Sequence, residues 1–441
     1  MESSNLSDKI RKNIVGSLGI KLISVLVSLA YVPVLISYLG KEEYGIWIVI
    51  SSTLAWINFF DIGLGNGLRN RLTEAISIAN YERAKTLIST SYALLGGIFI
   101  AVAIAFVLTI NLWNWNRILS LESISANELK LLIGMVAVSF CLRFIVQLIQ
   151  PILFAIHKSA LSSLFPVVSN IIGIILIYLI RYIDCPKLLT AAFIISVLPI
   201  VSFIIGTVFL FSKSLSFIQP SFKHIDFSVS KDILSLGFKF FFLQVATNLI
   251  NTASSFIIIK ILGPTYVTEY DVLLKYYMMA LMVNEIVLAP LWSAFTEAFA
   301  KKDLVWAKKV LRKLNWFSLI QAIGILIMFF ISDLVVKLWI NKQFSISKNL
   351  SFALMVLITL RIFLSPFVRV INGSGKLMFS IIVNVLCCIL FVVLAITLGK
   401  SSLGTVGVVI SACIARAILL IANIVQVRHL LSLGSNKLLN S

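Results

Sequence analysis

Apolar runs of about 20 residues or more recur along the whole chain, separated by short polar stretches. Each is long enough to cross a hydrocarbon core of about 30 Å at about 1.5 Å of rise per residue. Backbone groups in lipid must be paired within their own segment, so runs of this length predict helices rather than barrel strands. The pattern predicts twelve spans: 14–39, 44–64, 86–111, 130–155, 161–180 and 188–211, then 240–262, 270–296, 314–333, 350–371, 377–399 and 404–427. The first run is too long for a signal-peptide core and lacks a small-x-small cleavage pattern, so it reads as a retained span. No prenylation or myristoylation motif is present in the sequence.

Composition agrees with this pattern. The chain is 60% hydrophobic and 12% charged, against about 45–50% and about 25% for an ordinary soluble domain. A net charge of +19 would suggest nucleic acid in a soluble protein, but in a membrane protein it is first a topology signal, and no nucleic-acid partner is expected. Of the 37 Lys and Arg residues, with Lys130 and Arg369 at span ends counted to the adjoining loops, 22 fall in the termini and even-to-odd loops, 9 in the opposite loops and 6 deeper within spans. That asymmetry places both termini in the cytoplasm and the chain in the inner membrane. Cys141, Cys185, Cys387, Cys388 and Cys413 show no CxxC or Cys/His spacing. They read as small apolar helix residues, with neither metal nor disulfide.

The chain also repeats itself. Leu18-Gly19-Ile20-Lys21 returns as Leu236-Gly237-Phe238-Lys239, Leu142-Arg143 as Leu360-Arg361, and Lys158 as Lys376, all at an offset of 218. Thr73-Glu74-Ala75 returns as Thr296-Glu297-Ala298 and Ala84-Lys85 as Ala307-Lys308, at an offset of 223. One loop about five residues longer near 263–269 accounts for the change. The expected architecture is an all-α membrane protein of twelve transmembrane helices in two six-helix parallel repeats. Its N-terminal lobe is 1–213, a cytoplasmic linker 214–236 and its C-terminal lobe 237–441. A cleft between such lobes provides alternating access.

Enzyme and motor chemistry find no footing. Non-membrane stretches reach only about 25 residues, too short for a soluble catalytic or nucleotide-binding domain. Asn372-Gly373-Ser374-Gly375-Lys376 lacks the first Gly and the Ser/Thr of a P-loop and reads as a tight turn. Gly63-Leu64-Gly65-Asn66-Gly67 follows a membrane helix and reads as a helix end, not a dinucleotide fingerprint. No catalytic residue, metal ligand or cofactor is expected.

Charged residues inside spans cost about 2.5–3.5 kcal/mol each at the centre, so each needs a reason. The bases are Lys21, Arg143, Lys260, Lys275, Arg361 and Arg416; the clearest acids are Asp61 and Glu285. Lys260 is near a span end and can snorkel. Arg143 and Arg361 are repeat-related, so a structural role within each lobe stands beside a ligand role. Glu285 pairs with a base or titrates as a coupling site. Lys21, Ser24, Ser28 and Tyr31 share an arc of about 80°, and Gln244, Thr247, Asn248, Asn251 and Ser255 one of about 100°. These faces predict a wet, net-basic cavity suited to anionic cargo. Trp47, Trp113, Trp115 and Trp339 are assigned to the interfacial aromatic belt.

Tyr38-Leu39-Gly40-Lys41-Glu42-Glu43-Tyr44-Gly45-Ile46-Trp47 and Phe60-Asp61-Ile62-Gly63-Leu64-Gly65-Asn66-Gly67-Leu68-Arg69-Asn70 resemble the first two spans of bacterial O-antigen flippases. Tyr270-Asp271-Val272-Leu273-Leu274-Lys275-Tyr276-Tyr277 and Pro290-Leu291-Trp292-Ser293-Ala294-Phe295-Thr296-Glu297-Ala298 resemble the same family in the second half. These flippases are the polysaccharide-transport branch of the multidrug/oligosaccharidyl-lipid/polysaccharide (MOP) exporter superfamily. The resemblance implies a V-shaped two-lobed bundle that moves undecaprenyl-diphosphate-linked sugar repeat units to the periplasmic leaflet for O-antigen or other surface polysaccharide. It also implies polysaccharide polymerase and chain-length machinery as partners. Asp61, Lys275 and Glu297 fall at family positions. With the burial argument, the substrate-binding candidates are Lys21, Lys275, Arg416, Arg143, Arg361, Asn248 and Asn251. The coupling or gating candidates are Glu285, Asp61 and Glu297, with the coupling ion, H+ or Na+, left open. The alternatives are a cation-coupled multidrug exporter of the same superfamily and, from another class, a membrane-embedded polysaccharide polymerase or ligase.

Overall fold

A computed structural model describes residues 63–119, 124–183, 185–339 and 346–438, with scattered helical residues between 16 and 47. Among them nine helices are long and apolar enough to cross a membrane. They match the predicted spans 3–6 and 8–12. The expected span 44–64 falls largely outside the described residues, and 14–39 is described only at scattered helical positions. The seventh is described in backbone, as part of one helix over Ser230–Leu262. The chain is an all-α, multi-pass membrane protein.

The chain divides into two compact units, which meet between Phe238 and Lys239. The first contains α1 (Leu64–Ser77), α2 (Tyr81–Thr109), α3 (Ala126–Val146), α4 (Ile149–Ala155), α5 (Ser159–Ile180) and α6 (Lys187–Ser212). One of its cores is built on Leu68, Leu72, Leu87, Ile88 and Ile149, each fully buried. Trp47, expected in the aromatic belt, is instead buried with Leu35 and Leu132 in a second core of this unit. An indole there gains more from packing against apolar side chains than from a wet interface. Trp113 is exposed as expected, whereas Trp115 is half-buried and its Nε1 donates to Ile110 O at 2.9 Å.

Segment 214–236 is not a loose tether. Three 3-10 turns, Ser216–Ile218, Phe222–His224 and Phe227–Val229, run across α2. Ser221 N donates to Ser89 Oγ at 3.0 Å and Asp226 N to the fully buried Thr90 Oγ1 at 3.0 Å. The Asp226 carboxylate accepts the Ser228 amide, which holds its pKa below the usual carboxylate range. Helix α7 (Ser230–Leu262) starts against this unit and continues into the next. At its start, within the first unit, Asp232 meets Arg71 at 2.6 Å, and Arg71 also binds Glu74 at 2.9 Å.

The second unit adds α8 (Pro264–Ala300), α9 (Leu304–Trp339), α10 (Lys348–Ser374), α11 (Met378–Lys400) and α12 (Gly404–Leu438). Helix α10 is central: it packs along α8, α9 and α12, and α11 covers α12. Of the P-loop-like run, Asn372–Ser374 end α10 and only Gly375-Lys376 form the turn, with Gly375 capping the helix at φ 67. That left-handed conformation suits glycine at a helix C-terminus.

The repeat extends to backbone shape. Ala79 and Lys302, 223 residues apart, both have left-handed φ, 57 and 58. The next residue in each half donates its amide back over the turn: Asn80 N to Ala75 O at 2.9 Å, Asp303 N to Ala298 O at 2.8 Å. Each then caps the following helix, Asn80 Oδ1 accepting Arg83 N at 3.0 Å and Asp303 Oδ1 accepting Trp306 N at 2.9 Å. Thr73 and Thr296 are both buried, and each hydroxyl donates to the carbonyl four residues back. His157 and Gly375 form a second left-handed pair, at the offset of 218.

Candidate functional site

The polar groups inside the second unit gather on α7, α8, α10, α11 and α12. Helix α12 carries Arg416 one face away from the lipid, where it is 3% exposed, and its Nη2 donates to Thr247 O on α7 at 3.3 Å. A cavity of about 70 Å³ opens beside it, with Thr247, Asn372, Ser380, Asn384 and Asn423 among the lining polar residues. The wall is internally bonded: Asn384 Nδ2 donates to Ser380 O at 2.8 Å and Ser380 Oγ to Gln426 Oε1 at 2.7 Å.

Arg361, half-buried on α10, lies close enough to act electrostatically on Arg416 and on Glu285. Its Nη1 reaches Met278 Sδ at 3.6 Å. Glu285 on α8 is bound by Arg369 Nη2 on α10. Three arginines and one glutamate thus form a linked electrostatic group. A fully buried ion pair in such a place is favourable only with good geometry and further hydrogen bonds. Here Glu285 is 57% exposed, so the pair is not sealed inside the protein.

The remaining candidates are not gathered at this group. Lys275 is exposed and pairs with Asp271 at 2.6 Å. Glu297 pairs with Lys301 at 2.9 Å, one turn along α8. In the first unit Arg143 is half-buried near the end of α3, and Lys21 is exposed on a described helical residue. Tyr31, on the same expected polar arc, is half-buried beside Gly173 of α5. Asp61 lies outside the described residues; Asn248 and Asn251 lie on α7, with side chains outside them too.

Sequence reasoning missed two basic residues. Arg369 lies inside α10 rather than at a span end, and Arg69 is 5% exposed with its guanidinium 4.5 Å from the Phe154 ring centre. Arg369 sits four residues beyond Ser365 and close to a polar turn, which disguised it as a boundary residue. Arg69 lies beyond the predicted span 44–64 and so was counted with a loop.

Residues 10–295 match the family of polysaccharide biosynthesis proteins. The chain belongs to that family. A relative in Yersinia pseudotuberculosis, named as an O-antigen export protein, is 24% identical over 81% of this chain and 82% of its own length. One in Salmonella typhi, named as an O-antigen transporter, is 21% identical over the same shares. Among solved structures, a MATE transporter in its bent conformation superposes with a TM-score of 0.81, at 16% identity and 99% coverage of both chains. A MOP superfamily transporter from Pyrococcus furiosus gives 0.78 at 16% identity, covering 98% of this chain and 97% of that one. The chain therefore shares the fold of these solved transporters.

Proposed function

We propose that the protein is a flippase for lipid-linked oligosaccharide, moving undecaprenyl-diphosphate-linked repeat units from the cytoplasmic to the periplasmic leaflet by alternating access. Family membership over residues 10–295 supports a polysaccharide cargo. The observation that carries the cargo's charge is the pair Arg361 and Arg369 at the one acid Glu285, with Arg416 within electrostatic reach of Arg361. In a low-dielectric interior, an excess of fixed cations favours an anion such as a diphosphate and repels a cation. In this reading the chain sits in the inner membrane with both termini cytoplasmic, does no chemistry on the sugar, and hands its cargo to polymerase and chain-length machinery.

The fold likeness to MATE transporters favours a second reading, cation-coupled drug export. The excess of bases within the spans weighs against cationic cargo. Deletion of the gene, followed by analysis of lipid-linked intermediates, separates the two. The flippase reading expects repeat units on undecaprenyl diphosphate to accumulate facing the cytoplasm, with loss of surface polysaccharide. Normal polysaccharide, no accumulation and a new sensitivity to cationic drugs would replace it with the exporter.

A further inference from the structure

A cavity of about 540 Å³ opens on the second unit where α7, the turn after α10, α11 and α12 meet. Lys239 of α7, Lys376 of the turn and His429 of α12 stand on its wall. Met378, Phe379 and Val425 line it too, and all three are exposed. On membrane helices, exposed apolar side chains face lipid tails, so the pocket joins a basic wall to an oily one. No Asp or Glu follows Asp333 in the chain, and none lies on α7 beyond Lys239. The segments that build the pocket therefore bring no carboxylate to its bases. None of Arg361, Arg369, Arg416 and Glu285 lines it.

Lys376 is fixed by its backbone. Its amide donates to Ser374 Oγ at 3.2 Å, and its carbonyl accepts Gln426 Nε2 of α12 at 2.8 Å. Gln426 Oε1 in turn accepts Ser380 Oγ of α11 at 2.7 Å. Among the described residues, no ion pair or hydrogen bond occupies the ammonium of Lys239 or Lys376. The repeat keeps both lysines: Lys21 and Lys158 stand 218 residues before them. The segments that carry that earlier pair also approach each other, since a Cβ on Gly16 would lie 3.2 Å from Ala160 Cβ. Membrane orientation asks only for bases in the loops, not for two at matching places on two segments. A phosphodiester between the lysines gains charge-assisted hydrogen bonds, and the imidazole adds an N–H donor. Basic pockets between membrane helices hold anionic headgroups in this way, each base near the surface giving about fivefold in affinity. A free phosphate would leave the apolar wall unused, whereas a lipid covers it.

We propose that this pocket holds the headgroup of an anionic phospholipid, its phosphate at Lys239, Lys376 and His429 and its chains along Met378, Phe379 and Val425. The site is independent of the identity of the cargo. The purified full chain, stripped of lipid in detergent, is titrated with phosphatidylglycerol or phosphatidylethanolamine of the same acyl chains, and native mass spectrometry reads the affinity of the first lipid bound. Phosphatidylglycerol should bind the tighter, because phosphatidylethanolamine brings an ammonium of its own to a basic wall. Lys376→Gln should weaken phosphatidylglycerol about fivefold and Lys239→Gln with Lys376→Gln about thirtyfold, with phosphatidylethanolamine little changed. Lys308→Gln with Lys309→Gln removes the same charge from α9, outside the pocket, and should leave the affinity as it was. Equal binding of the two lipids would overturn the proposal. So would an equal loss in the α9 pair, which would mean a diffuse attraction to the basic face. Undecaprenyl diphosphate bound through the same lysines, and not displaced by phosphatidylglycerol, would give the pocket to the cargo and overturn it as well. The single variant Lys376→Gln, on an exposed turn, decides the matter even if the double one does not fold.

Discussion

Glu285 and Arg369 lie 84 residues apart and meet between α8 and α10. Removing one partner leaves the other charge in a membrane interior, which costs more than removing both. Glu285→Gln and Arg369→Gln should each lower the melting temperature of the purified protein, and the double variant should lose less than the sum. Because Glu285 is 57% exposed, the coupling belongs at the low end of the range for contacting residues, about 0.5–1 kcal/mol. A strictly additive cycle would show that the pair does not act as a unit. The sequence identified Glu285 and Arg416 as residues needing an explanation, because a charge in a hydrophobic run is visible without a structure. It did not reveal their partners: those are set by which helix faces meet, and no local pattern encodes that.

Helix ends and crossings carry the next set of consequences. Asn80 and Asp303 cap α2 and α9 in the same way, so Asn80→Ala and Asp303→Ala should each cost about 1 kcal/mol in thermal or denaturant unfolding. A loss at one site only would argue against equivalent corners. At Gly67 a Cβ would lie 2.7 Å from Ile233 O and 3.0 Å from Gly237 N. Backbone atoms cannot step aside as side chains can, so Gly67→Ala should cost about 1–3 kcal/mol, measured as a fall in melting temperature. Unchanged stability would mean that α1 and the start of α7 are not so close. The Gly63–Gly67 run was legible as a helix end, and Gly63 is indeed left-handed at φ 67 ahead of α1. The close approach at Gly67 was not, because its partner is supplied by the segment expected to be a linker. That segment is expected in sequence only as a linker, and its bonds to Ser89 and Thr90 show how it is held.

For the molecule as a whole, hydropathy located every span that falls among the described residues, since length and apolarity alone satisfy the membrane requirement. The burial of Trp47 was beyond such reasoning, because a tryptophan near a span end suits a wet interface or a core equally well. Orientation rests on the excess of Lys and Arg in one set of loops. With both ends in the cytoplasm, fluorescent-protein fusions at either terminus should glow and alkaline phosphatase fusions should be inactive. Active phosphatase at the C-terminus would reverse the orientation or change the number of spans.

The paired left-handed corners at Ala79 and Lys302 have a consequence for how the gene can be rebuilt. Their flanking carbonyls, amide returns and caps coincide although few side chains do. Residues 78–81 and 301–304 are therefore interchangeable parts. Exchanged between the halves, each should carry the chain round the same bend, and a chimaera with both corners swapped should express and melt close to the parent. Collapse of that chimaera would show that side-chain packing, not inherited backbone shape, holds the bend.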